Sequence, residues 1–257
     1  MNRLGLWLFA GGLVLSWANS ALHVALPDRP LYAMSARMFK GRVSTLRLVT
    51  LGLASVGFVG LIALFLKQAS PEWVALVILL VLLGIRRLEI IQWPDNIVVK
   101  LGKYVPSAAC LLAWLIASVT LRWTGKPVED ARALGWQAAC GVMAGAYVLA
   151  AIAKLRQSGF SWAHPRYQAL LVAERAFAGP RWLRAVRLQA ARSKAASTVI
   201  GFVGLFAEFL AVLFIVPAAR PWVIALVIAL HLGFILLLGY FEIEWILVLV
   251  AVATLAG

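Results

Sequence analysis

Very few residues of this 257-residue chain can do chemistry. The ionisable groups set into its apolar stretches are His23, Arg47, Glu89, Lys154, Glu208, His231, Glu242 and Glu244. Such groups are costly inside a membrane, so a functional role is the first expectation for each. Lys154 closes an apolar run, and Tyr147 stands seven residues before it on the same helical face. A lysine stripped of water by burial can act as a base or nucleophile. A lysine at a helix end can equally snorkel its charge to the interface, and position alone leaves both readings open. Glu208 follows Gly201 and Gly204 at spacings of seven and four, which puts a carboxylate beside a groove of small residues. Glu208 and His231 each lie about ten residues, or roughly 15 Å, into their apolar runs. They are expected to face each other, either as a structural interhelical hydrogen bond or as a proton relay or head-group site. Gly141 and Gly145 form a small-residue pair on the side of their helix opposite Lys154, where another helix is expected to approach closely.

The remaining polar candidates read more plainly. Glu242 and Glu244 flank Ile243 and point to different sides of a helix, so at least one is expected at a solvated interface. His23 and His164 are isolated and read as structural, and Arg86, Arg87 and Glu89 read as the inner end of a span. Cys110 and Cys140 both fall in apolar runs and suit burial rather than a disulfide or zinc pattern. No glycine-rich phosphate loop, His-x-x-x-His, paired-cysteine spacing or Gly-x-Ser-x-Gly occurs, so nothing indicates a metal or nucleotide cofactor or a hydrolase.

The elements that must position these groups follow from composition. Hydrophobic residues make up 63% of the chain and Asp, Glu, Lys and Arg only 13%, with a mean hydropathy of +0.93. Soluble domains carry about 25% charged residues, so a soluble enzyme, a disordered chain and a disulfide scaffold are excluded. The runs are continuous rather than alternating, which points to helices and away from a barrel. The expected fold is all-α: a polytopic transmembrane helix bundle of seven or eight spans, forming one integral-membrane domain over 1–257. The spans are read at 4–24, 44–66, 72–91, 104–123, 135–155, 198–216, 221–238 and 241–256. Only Gly239 and Tyr240 separate the last two, so they can also be one broken element.

The net charge of +14 does not point to nucleic acid, because the basic residues sit between apolar runs. Odd-numbered loops carry 17 Lys and Arg against 6 in the N-terminal tail and even-numbered loops. The positive-inside rule then gives a multi-pass protein of the cell inner membrane, with its N-terminus outside and 156–197 in the cytoplasm. Residues 1–21 also admit a signal-peptide reading, although the run continues through Leu22–Leu26, as a retained helix does. Within 156–197, Arg181, Arg184 and Arg187 recur every three residues among apolar ones. That pattern predicts a helix lying on the membrane surface with its basic side toward anionic lipid head groups. It serves as a topology anchor or as a docking surface for an acidic partner.

The stretch Tyr147-Val148-Leu149-Ala150-Ala151-Ile152-Ala153-Lys154-Leu155, followed by Ser158-Gly159 and Trp162, resembles the membrane core of the vitamin K-dependent gamma-carboxylases and their bacterial relatives, the horizontally transferred transmembrane (HTTM) family. The later order of Glu208, Arg220, His231 and Gly239-x-Phe241 also resembles that pattern, so the family-like core covers 140–250. The resemblance implies a quinone-linked oxygenase or carboxylase-type enzyme. In that chemistry, oxygenation of a reduced quinone generates the strong base that takes a proton from glutamate in a peptide or protein substrate. It implies Lys154 as the base, with Glu208 and His231 as further catalytic residues and Tyr147 and Trp162 contacting the substrate. A reduced quinone is the implied cofactor, and membrane lipid and a lipid-soluble quinone are the implied partners. Two other classes stay open. One is a transporter or lipid-handling protein with a Glu208/His231 proton site. The other is the membrane subunit of a quinone-linked oxidoreductase.

Overall fold

A computed structural model of the protein describes residues 2–25, 45–68, 70–92, 106–176, 181–238 and 243–257. These residues are helical throughout apart from short turns, as the continuous apolar runs require. The α-helices are α1 (Arg3–Ala25), α2 (Thr45–Leu66), α3 (Pro71–Gln92), α4 (Pro106–Trp123), α5 (Val128–Ser158), α6 (Pro165–Arg175), α7 (Arg181–Arg192), α8 (Lys194–Leu210), α9 (Arg220–Gly233) and α10 (Ile243–Ala256). Short 3₁₀ turns at Gly159–Ala163, Ala211–Ile215 and Pro217–Ala219 join some of them, and a π-helical turn at Phe234–Leu238 extends α9.

Among the described residues, six helical stretches are long and apolar enough to cross a membrane: Arg3–Leu22, Leu48–Leu66, Pro106–Trp123, Val128–Ala163, Lys194–Ile215 and Pro217–Leu238. The chain is therefore an integral membrane protein. The expected seven or eight spans reduce to six by this measure, for two physical reasons. Helix α3 has the length, but it carries Glu72, Arg86, Arg87 and Glu89. Helix α10 is apolar but only 14 residues long, short of the roughly 20 that a hydrocarbon core requires. The expectations for Glu242 and for the join at Gly239 and Tyr240 lie outside the described residues, as do the side chains of His23 and Arg47.

The packing divides the chain into two compact units, Met1–Ala139 with Thr254–Ala256 and Cys140–Ala253 with Gly257. The first unit is centred on aromatic rings. Trp114 and Trp136 stack at 5.5 Å, and Phe9 meets the Trp136 ring edge-on at 4.9 Å. Gly135 permits this crossing, because a Cβ there would lie 2.9 Å from the Trp114 carbonyl and 2.5 Å from Ser118 Oγ. Arg132 grips Glu72 through two hydrogen bonds of 2.9 and 3.1 Å. Glu89 is fully buried, accepts a hydrogen bond from Ser20 at 3.0 Å and pairs with Arg86 one helical turn back.

The second unit is built on the groove of small residues on α8. Ser193 caps this helix by accepting from the Ala196 amide. Its buried face runs through Ser197, Gly201, Gly204, Leu205 and Glu208, the i, i+4, i+7, i+8, i+11 spacing of one helical stripe. At Gly201 a Cβ would come within 2.8 Å of the Ala163 Cα, so the turn Gly159–Ala163 packs directly on the α8 backbone. The expected close approach at Gly141 and Gly145 is absent: a Cβ at either would meet nothing within 4 Å among the described residues. Cys110 and Cys140 are buried, as their apolar surroundings predict.

Helix α7 uses its arginines in two ways. Arg184 is exposed, as the spacing expects, whereas Arg187 is 1% exposed and turned inward. It donates to the carbonyls of Leu236 (2.7 Å), Ile235 (3.3 Å) and Arg175 (2.8 Å). A π turn interrupts the regular ladder of its helix, and the guanidinium fork supplies donors to two of its carbonyls at once. Burial pulls the Arg187 pKa below the ordinary arginine value.

Candidate functional site

The five residues that the family resemblance assigns to a site line one cavity of about 260 Å³ in the second unit: Lys154, Glu208, His231, Tyr147 and Trp162. Three helices position them. Tyr147 and Lys154 come from α5, where the seven-residue spacing keeps both on one face. Glu208 comes from the buried stripe of α8, one turn beyond Gly204. His231 comes from the last turn of α9, just before the π turn. Trp162 is carried by the turn Gly159–Ala163, whose left-handed start at Gly159 has φ = +56°.

The direct bonds join these residues in two pairs. The Lys154 ammonium donates to Glu208 Oε1, across 54 residues of sequence. Tyr147 Oη and His231 Nε2 are hydrogen-bonded at 2.7 Å. Glu208 and His231, which equal depth suggested as partners, thus line one cavity together. Lys154 is not a terminal lysine reaching for the interface, because α5 continues for another turn to Ser158. Its side chain keeps about 20% exposure while that of Glu208 keeps 5%.

Aromatic rings wall the cavity. The Lys154 nitrogen lies 5.0 Å from the Trp162 ring centre and 5.8 Å from that of Phe234, both within cation–π range. Trp245 of α10 stacks near-parallel to His231 at 6.2 Å and meets Tyr147 edge-on at 5.2 Å. Sequence reading missed Phe234 and Trp245. The signal for Phe234 is its place three residues after His231, which puts both on one helical face. No spacing signal marks Trp245, which reaches the site only through the packing of α10. Glu244 is half-buried in the first turn of α10.

Size alone does not single this cavity out. A larger hollow of about 670 Å³, bordered by Arg3, Trp7, Lys67 and Arg132, lies in the first unit and holds none of these residues. What distinguishes the smaller one is chemistry. An amine and a carboxylate meet at its wall, placing a strong donor beside a strong acceptor. The Tyr147–His231 pair adds a second donor–acceptor couple on the same wall. Among the described residues no group of three or more His, Cys, Asp or Glu could hold a metal ion.

The fold and site define an all-helical integral membrane protein with a buried amine–carboxylate pair facing an aromatic-walled cavity. No family model matches the chain, and no curated protein or solved structure matches it either.

Proposed function

We propose that the Lys154 cavity binds the aromatic head group of a lipid-soluble quinol and exchanges protons with it, as in a quinone-linked oxygenase or carboxylase-type enzyme. The observation that carries this reading is the convergence of the Lys154–Glu208 and Tyr147–His231 pairs on one cavity walled by Trp162, Phe234 and Trp245. About 260 Å³ falls just below the roughly 300–1,000 Å³ of sites that enclose a whole drug-sized ligand. It suits a single ring system whose tail continues outward. The rings supply flat apolar contact, and the two polar pairs supply partners for phenolic oxygens. A reduced quinone bound there supplies two electrons and two phenolic protons. Lys154 and Glu208 orient one phenolic oxygen and hold or release a proton at the Lys154 nitrogen or the Glu208 carboxylate. Tyr147 and His231 orient the second. The surrounding rings exclude water, which strengthens each of these electrostatic contacts.

The similarity of 140–250 to the HTTM and gamma-carboxylase core agrees with this assignment, and it extends the proposal to a peptide or protein substrate. The loop charges support placement in the cell inner membrane, with the N-terminus outside and 156–197 in the cytoplasm. The test is incubation of the purified protein with a short-chain naphthoquinol, oxygen and labelled bicarbonate, comparing wild type with Lys154→Arg and Lys154→Ala. Arginine keeps the charge but does not release its proton in proteins. Quinol consumption lost in both variants, with the fold retained in Lys154→Arg, is the expected result. Full turnover by Lys154→Arg would reduce Lys154 to a charged anchor.

A further inference from the structure

A third hollow, of about 560 Å³, shares no lining residue with the Lys154 cavity and has a different chemistry. It lies where α6 and α8 begin and α7 ends, and His164, Arg166, Arg192 and Lys194 border it. No acidic residue lines it, and among the described residues no ion pair engages Arg166, Arg192 or Lys194. The wider segment 156–197 contains eight Lys and Arg residues against Glu174 as its one acid, so the positive potential is not offset nearby. His164 accepts from the Arg166 amide through Nδ1, which leaves Nε2 to carry the proton of a neutral ring and act as a donor. Ala169 and Ala191 keep the walls small, and the buried Ser197 lies at the base.

We propose that this hollow binds the phosphate group of an anionic membrane lipid. Three cations and a histidine donor around an open space match a phosphate, which offers several acceptor oxygens and pairs strongly with arginine. The lipid source follows from the position. Lys194 opens a helical stretch apolar enough to cross a membrane, so the hollow lies at head-group level. Beside the hollow on α6, Leu170, the chain neighbour of the lining residue Ala169, is 60% exposed and offers an apolar surface against which an acyl chain can lie. A soluble phosphate ester would use the cations but not that surface.

The test titrates dioleoyl phosphatidic acid into the detergent-solubilised full chain and counts bound lipid by native mass spectrometry. The variant is Arg166→Gln/Arg192→Gln, and both side chains are exposed, so the melting temperature should stay at the wild-type value. The control is Arg156→Gln, exposed in the same segment and outside the hollow. The double variant should lose affinity by about 10- to 100-fold, roughly tenfold for each charge-assisted contact. The control should lose less than about twofold, because it removes only diffuse surface attraction. Equal loss in control and double variant would overturn the site in favour of general basic attraction. Equal binding of dioleoyl phosphatidylcholine would overturn the requirement for an anionic head group. Inorganic phosphate displacing the lipid completely at equal concentration would overturn the lipid as the source.

Discussion

Two buried carboxylates, one in each compact unit, meet opposite charges of different kinds. Glu89 is closed in by Arg86 one turn away and by the Ser20 hydroxyl. Glu208 meets Lys154 from a distant stretch of sequence, at the wall of a cavity. Both arrangements neutralise a costly buried charge. Only one can pass a proton onward, since a guanidinium keeps its proton in proteins and an amine need not. The Arg86–Glu89 pair is therefore suited to anchoring, whereas the Lys154–Glu208 pair is the one on which the proposed chemistry rests. Burial of a charge does not by itself mark function. The identity of the cation and the presence of open space beside it do.

The largest expected effect tests what the two pairs share. Arg86→Ala and Lys154→Ala each remove a cation from a buried carboxylate, and each should destabilise the protein by up to about 3–5 kcal/mol in thermal or denaturant unfolding. A loss confined to one would show that the other carboxylate is stabilised elsewhere. The exchange of cations then separates the two. Arg86→Lys and Lys154→Arg keep charge and approximate reach, so each should cost less than about 1.5 kcal/mol in the same melts. Only Lys154→Arg should abolish quinol-dependent turnover.

Close helix contacts extend the comparison. Gly135→Ala and Gly201→Ala force a methyl against neighbouring backbone in their respective units, and each should cost about 1–3 kcal/mol. Tyr147→Phe removes the bond to His231 and should cost about 1–3 kcal/mol if the histidine is left without that partner. A melt together with a quinol-binding isotherm would report both consequences of that change. Gly145→Ala should be neutral or stabilise by up to about 1 kcal/mol, because its Cβ meets open space and alanine favours the helix. A large loss at Gly145 would mean that something outside the described residues packs there.

Much of the site was legible in the sequence because membrane helices make polar residues conspicuous. Lys154, Glu208 and His231 stand out against leucine and valine, and the seven-residue spacing from Tyr147 assigns a face directly. Which residue bonds which was not legible. Counting residues from the end of a run measures depth alone, and it placed Glu208 and His231 at one height without showing that Lys154 reaches the carboxylate. The Gly141/Gly145 spacing marks a surface that can be approached closely, but whether a neighbour uses it is decided by packing. At Gly201 a neighbour does. Helix type was easier to read than span number, because the charges of α3 and the length of α10 set those two elements apart from the six long apolar stretches.

Arg187 imposes an order on biosynthesis. Its acceptor at Arg175 is only 12 residues upstream, so that bond can form as soon as α7 emerges. Its acceptors at Ile235 and Leu236 lie 48 and 49 residues downstream. At roughly 5–20 residues per second the ribosome needs on the order of 3–10 s to make that intervening chain. During this interval the π turn is not yet made, so α7 cannot seat against it. The surface segment is thus made before the membrane segment that secures it, and its final docking registers that the C-terminal helices have arrived.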